Sequence, residues 1–202
     1  MTDLVLALLS GMVGGLVIAS LPRISSRLRN ILALVFTAAA TYFTWRVAQT
    51  VLSGQAVELS GEMAGLTLSL RPDALGAVFG VIVATLWLCA TVYSFGYMAG
   101  EPRQRTYYSF FLLSLTTTLG IAFSGNLLAV YLFYELLTFA TYPLVIHERD
   151  GEAIKAGSKY IIYSLSGAGA ILIAIIIVYS WTGSLDFTGG PLLADCGLRP
   201  GL

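Results

Sequence analysis

Charge is what this sequence has least of. Charged residues fill 11% of its 202 positions, where a soluble domain carries about 25%. The apolar share is 57% and the mean hydropathy +0.82, which leaves too few polar groups to clothe a water-exposed surface. The chain is read as an integral membrane protein. Eleven Lys and Arg balance eleven Asp and Glu, so the electrostatic footprint of a nucleic-acid binder is missing. Metal-ligating residues are scarce too: one histidine, His147, and two cysteines, Cys89 and Cys196. They do not suffice for a zinc site, a haem pair, an iron–sulfur frame or a disulfide scaffold. Walker A, dinucleotide-binding, serine-hydrolase and zinc-protease motifs are absent as well. No cofactor, metal or catalytic redox site is expected here, and any redox or ATP chemistry is assigned to other chains.

What the sequence does contain is a succession of apolar runs. A bilayer core calls for about 20 helical residues, and six stretches fit: Leu4–Leu21, Ile31–Leu52, Leu75–Met98, Tyr107–Phe123, Leu127–Ile146 and Tyr160–Trp181. Pro22 and the arginines after it end the first, and Glu101-Pro102-Arg103 ends the third. Ser124-Gly125-Asn126 predicts a tight turn between antiparallel fourth and fifth helices. Asp3 stands where a signal peptide has its basic region, so the first span is expected to stay. Arg23, Arg27, Arg29, Arg103, Arg105, Arg149, Lys155 and Lys159 fall on one side, against Arg71 and Arg199 on the other. Basic loops stay in the cytoplasm, which predicts both termini outside the plasma (inner) membrane.

The second and third spans are joined by the longest non-spanning stretch. Leu66, Leu68 and Leu70 alternate there with Thr67, Ser69 and Arg71, a strand period. Val57 and Leu59 are placed to pair with them across Gly61–Gly65, which predicts a short extracytoplasmic β-hairpin. The fold class expected is an all-α membrane protein with about six transmembrane helices and that hairpin. Residues 1–106 form an N-terminal part and 107–190 the first helices of a core. Residues 191–202 are an irregular tail, within a glycine-rich stretch that starts at Gly183. Gly11/Gly15 and Gly76/Gly80 are GxxxG pairs, which either mark close helix approach or arise by chance.

The informative residue is Glu135, the ninth of twenty in its span. An acidic side chain near mid-membrane costs roughly 2.5–3.5 kcal/mol on insertion scales. A carboxyl lowers that cost by taking up a proton, and one that exchanges its proton serves a relay. Tyr131, Glu135, Thr138 and Tyr142 share one helical face, a polar stripe on an otherwise apolar helix. The alternative is a protonated glutamate that only joins two helices. Lys159 heads the sixth span, where it either joins a path or reaches interfacial water along its own stem. Arg46 is read as snorkelling likewise. His147, at the cytoplasmic edge, either feeds protons inward or is an ordinary exposed loop histidine.

Several stretches resemble one family, in its order along the chain. They are Leu68–Asp73 with Leu75, Tyr93–Met98, Tyr107–Leu113, Gly125–Val145 and Ala156–Gly167. They look like the antiporter-like subunits of respiratory complex I (the NADH-quinone oxidoreductase membrane arm), membrane-bound hydrogenases and Mrp-type cation/proton antiporters. Phe133-Tyr134-Glu135-Leu136 is similar to the family's signature around a fifth-helix glutamate, with Tyr134 as a variant. The resemblance runs from Leu66 to Phe187 and covers the N-terminal part of the family. It implies that Glu135 lies on the proton path, that Lys159 matches a sixth-helix lysine, and that Tyr131, Thr138, Tyr142 and His147 are candidate path-lining residues. It also implies other membrane subunits as partners, with protons, and Na⁺ as an alternative, as the ions moved. In the family these spans open a longer bundle of two inverted repeats. The next, lysine-bearing helix has no counterpart here, so the chain is expected to be an N-terminal fragment or a truncated relative. A scaffold that moves no ion is the rival expectation.

Overall fold

The computed structural model describes residues 1–63 and 66–187. Helix α1 spans Thr2–Ser20, α2 Ser26–Leu52, α3 Ala74–Tyr97, α4 Gln104–Ala122, α5 Leu127–Val145 and α6 Gly151–Thr182. Between α2 and α3, β1 (Leu59–Met63) pairs antiparallel with β2 (Leu66–Leu70), Leu59 opposite Leu70 and Met63 opposite Leu66. Among the described residues, five of the six helices are long and apolar enough to cross a membrane; α4 is not one of them. The expected hairpin turn is Gly61–Gly65, but Gly61 and Glu62 are paired strand residues facing Leu68 and Thr67. The expected tail at 191–202, with Cys196 and Arg199, lies outside the described residues.

Short polar side chains start most of the helices. Ser25, Asp73, Asn126 and Asp150 each accept a hydrogen bond from a backbone N–H of the following turn, satisfying donors the helix leaves unpaired. Gly183 closes α6 in the left-handed conformation at φ +69°, which a glycine adopts without steric cost. The Asp150 cap moves the start of α6 back to Gly151. Lys159 is therefore the ninth residue of that helix rather than its entrance.

Helix α4 is the hub, packing on α1, α2, α3 and α5. Its neighbours shield it, which explains why it tolerates hydroxyls where the outer helices are apolar. Ser109, Ser114, Thr117 and Thr118 donate to carbonyls one turn back, so none carries an unpaired donor into the core. Both glycine pairs are packing devices. A Cβ on Gly15 would stand 2.7 Å from Ser109 O of α4, and one on Gly11 would strike the Thr116 hydroxyl and stand 3.0 Å from Leu112 O. Gly76 lies against the Ala122 carbonyl and Gly80 against the Phe123 ring. Across the α2–α3 seam Thr37 and Thr91 share a hydrogen bond of 3.2 Å, and Thr41 donates to Ala84 O. Arg46, read from the sequence as snorkelling, also pairs with Asp3 of α1 at 3.5 Å.

The α4–α5 turn is stitched to the hairpin. Gly125 N donates to Ser69 O and Arg71 N to Phe123 O, each at 2.8 Å. Leu127 N donates to Leu185 O and Phe187 N to Gly125 O, so the segment after α6 returns to the same corner. Asn126, 1% exposed, caps α5 through Ala129 N and donates to Thr67 O at 2.6 Å. One side chain thereby joins the start of α5 to β2.

Candidate functional site

Helix α5 owes its position to both ends and one flank. Asn126 anchors its start, and Gly120 of α4 is the cradle for the Phe133 ring, since a Cβ there would strike it. With Phe133 turned to α4, Glu135 is set about 200° around the helix from it. Glu135 is half-buried, and its Oε1 is enclosed without a hydrogen-bond partner. That oxygen lacks the hydrogen bond that buried polar atoms ordinarily make.

The rest of the predicted stripe is spread over several surroundings. Tyr131 packs against Leu128, Ile175 and Leu185, the cluster that joins α5 to the far end of α6. Thr138 is 4% exposed and its hydroxyl donates to Tyr134 O. Tyr142 lies on Gly157 of α6, where a Cβ would come within 3.0 Å of its ring. A side-chain hydrogen bond that the sequence pattern does not signal links α5 to α6: Thr141 and Tyr160 meet at 2.6 Å. Tyr160→Phe is expected to lower stability by about 0.6–1 kcal/mol, or roughly 1–4 °C in Tm for a chain of this size. Thermal unfolding of the purified protein checks it.

Lys159 projects from the exposed side of α6. Among the described residues the ion pair within 4 Å is Arg46–Asp3, so Glu135 and Lys159 are not in direct contact. His147 is not the exposed loop residue that is the commoner case. Both its ring nitrogens are enclosed without a hydrogen-bond partner, and its ring meets Tyr107 edge-on with centroids 6.0 Å apart. Arg103, at φ +57°, donates to the carbonyls of His147 and Glu148 and fixes that corner. A cleft of about 470 Å³ opens beside it, lined by Tyr97, Tyr107, His147, Glu148, Asp150 and Glu152. His147 follows Glu135 by twelve residues, roughly 18 Å at the helical rise, and Thr138, Thr141 and Tyr142 lie between them in sequence. Chemically, the helix carries an unpartnered carboxyl, an unpartnered imidazole at its end, and hydroxyls between.

Two family models match the chain. Residues 60–111 match the complex I (NADH-ubiquinone oxidoreductase) chain 5 N-terminus, and residues 124–195 match the transmembrane model of NADH:quinone oxidoreductase and Mrp antiporters. A NAD(P)H-quinone oxidoreductase chain 5 from a Picosynechococcus species is 31% identical over 91% of this chain and 29% of its own length. A Na⁺/H⁺ antiporter subunit A1 from Staphylococcus aureus is 29% identical over 56% of this chain and 14% of its own length. Among solved structures, a chain of the membrane-bound sulfane sulfur reductase, an archaeal respiratory membrane complex, superposes with a TM-score of 0.78 at 28% identity. It covers 92% of this chain and 29% of that one. A chain of the Mrp complex from a Dietzia species shares the fold at a TM-score of 0.73 and 18% identity, over 95% of this chain and 21% of that one. The chain thus spans less than a third of the length of these relatives.

Proposed function

Because this chain belongs to the family of antiporter-like membrane subunits shared by quinone oxidoreductase and Mrp cation/proton antiporter complexes, we propose that it supplies part of a proton, or cation/proton, path in a multisubunit membrane complex. The enclosed, unpartnered Oε1 of Glu135 supports this path. Glu135 takes up and releases the proton. Thr138, Tyr142 and Tyr131 line its helix, His147 exchanges protons at the end nearest the acid-lined cleft, and Lys159 presents a positive charge on α6.

The chain is a multi-pass membrane protein. We place six crossings, with the β-hairpin and both termini outside the plasma membrane and the arginine-rich turns inside. A cysteine introduced at Ser26 is therefore expected to resist an impermeant thiol reagent applied to intact cells, and to react once the membrane is opened. Labelling from outside would reverse the assignment. Partners are other membrane subunits of the complex, whose transport and redox chemistry they complete.

That no ion pair joins Glu135 to Lys159 among the described residues favours a second reading, a scaffold that packs against partner helices and moves nothing. Transport by membranes carrying Glu135→Gln separates the two: loss with assembly retained supports the path, and unaltered transport supports the scaffold.

A further inference from the structure

At the opposite end of the bundle from the β-hairpin, α1 hands over to α2 and α3 to α4, and two clefts meet. One, of about 310 Å³, is lined by Arg29, Arg103 and Arg105 with Ser26, Gln104 and a single acid, Glu101. The other, of about 610 Å³, is walled by Leu21, Ile24 and Leu28, with Arg23 at its edge. Pro22 and Ile24 line both. A basic pocket thus adjoins an apolar one.

Arg29 makes this more than a surface accumulation of arginines. It is 7% exposed, yet its Nε is enclosed without a hydrogen-bond partner. One terminal nitrogen donates to Asn30 Oδ1 at 3.1 Å, and the guanidinium carbon sits 5.1 Å from the centroid of the Tyr108 ring. Tyr108, in turn, is 1% exposed and receives a hydrogen bond from Ser94. The cation is therefore held in place from its aromatic side, with donor capacity left over and no carboxylate of the described residues within salt-bridge distance. A buried guanidinium with a spare donor calls for an anion, and a planar fork suits phosphate.

We propose that this paired cleft is a binding site for an anionic phospholipid. Its phosphate lies against Arg29 and Arg105, and an acyl chain runs along Leu21, Ile24 and Leu28. The position fits, because basic pockets between membrane helices near the interface bind anionic headgroups, and here the apolar cleft adjoins the basic one. Arg103 is already engaged with the His147 and Glu148 carbonyls. A lipid seated here therefore neighbours the residue that fixes the His147 corner.

The test is native mass spectrometry of the purified full chain, supplied with dioleoyl phosphatidylglycerol or dioleoyl phosphatidylcholine. The expected result is retention of phosphatidylglycerol about tenfold better than phosphatidylcholine, unaffected by millimolar inorganic phosphate. Arg29→Gln and Arg105→Gln should each lower that retention several-fold, while Arg71→Gln, at the hairpin end, leaves it unchanged. Arg105 is less enclosed than Arg29, so its variant keeps the test valid if Arg29→Gln disturbs the fold. Equal retention of the two lipids, or retention untouched by Arg105→Gln, overturns the site. Displacement of the lipid by inorganic phosphate alone overturns the lipid in favour of a free-anion site.

Discussion

Gly15→Val is expected to destabilise the protein by about 1–3 kcal/mol, and Gly11→Val combined with it by more. The reason is what faces these positions. A Cβ on Gly15 meets Ser109 O at 2.7 Å and Leu113 Cγ at 2.9 Å, and one on Gly11 meets Leu112 O at 3.0 Å. Two of those atoms are backbone carbonyl oxygens of the hub helix and cannot turn aside as a flexible side chain does. Moving α1 outward also breaks the hydrogen bond from Thr116 to Leu8 O, 3.2 Å long. Helix propensity favours valine over glycine by only a few tenths of a kcal/mol, so the clash sets the sign. Val13→Leu on the exposed face of the same helix should be neutral. Thermal unfolding in detergent reads the difference, a fall in Tm of roughly 2–12 °C for Gly15→Val. A Gly15→Val protein as stable as wild type would contradict the α1–α4 contact.

Glu135→Gln is the functional counterpart. Glutamine keeps the shape and a hydrogen-bonding end, so the helix should insert and the complex should assemble. It has no proton to exchange, so a path that runs through residue 135 stops. The expected loss of proton-coupled transport is at least about tenfold, against the roughly 10²–10⁴-fold that positioned proton-transfer groups contribute elsewhere. Glu135→Asp keeps the carboxyl but withdraws it by one methylene, and should retain a measurable fraction. Uptake by everted membrane vesicles distinguishes this order, wild type above Asp above Gln, from a structural role in which Gln and Asp behave alike.

Much of this is legible in the sequence because the bilayer imposes a simple rule. Apolar length marks helices, and the runs that begin at Leu4, Leu75 and Leu127 match α1, α3 and α5 within a residue or two at their starts. Alternation at Leu66–Leu70 marks β2 in the same way. The misses have local causes. Hydropathy sets the start of α6 nine residues late because its first turns are polar, and the Asp150 cap outweighs hydropathy there. The Arg46–Asp3 pair is not signalled in the sequence, because the packing of α1 on α2 brings the two residues together. His147 is enclosed by Tyr107, forty residues away in the chain, and no periodicity reports such a contact. Of the site, Glu135 is legible because a charge within an apolar run is conspicuous. The Thr141–Tyr160 bond is not, because threonine and tyrosine are unexceptional in any membrane helix.

Proton passage through Glu135 is the core of the proposed function. Its most direct test is proton translocation into liposomes by the reconstituted complex, followed with a pH-sensitive dye, for wild type and Glu135→Gln with subunit content verified in both. A path through Glu135 requires that the Gln complex be fully assembled and that its proton signal fall to the level of empty liposomes. A fully assembled Gln complex that translocates at the wild-type rate would contradict it, and the scaffold reading would take its place.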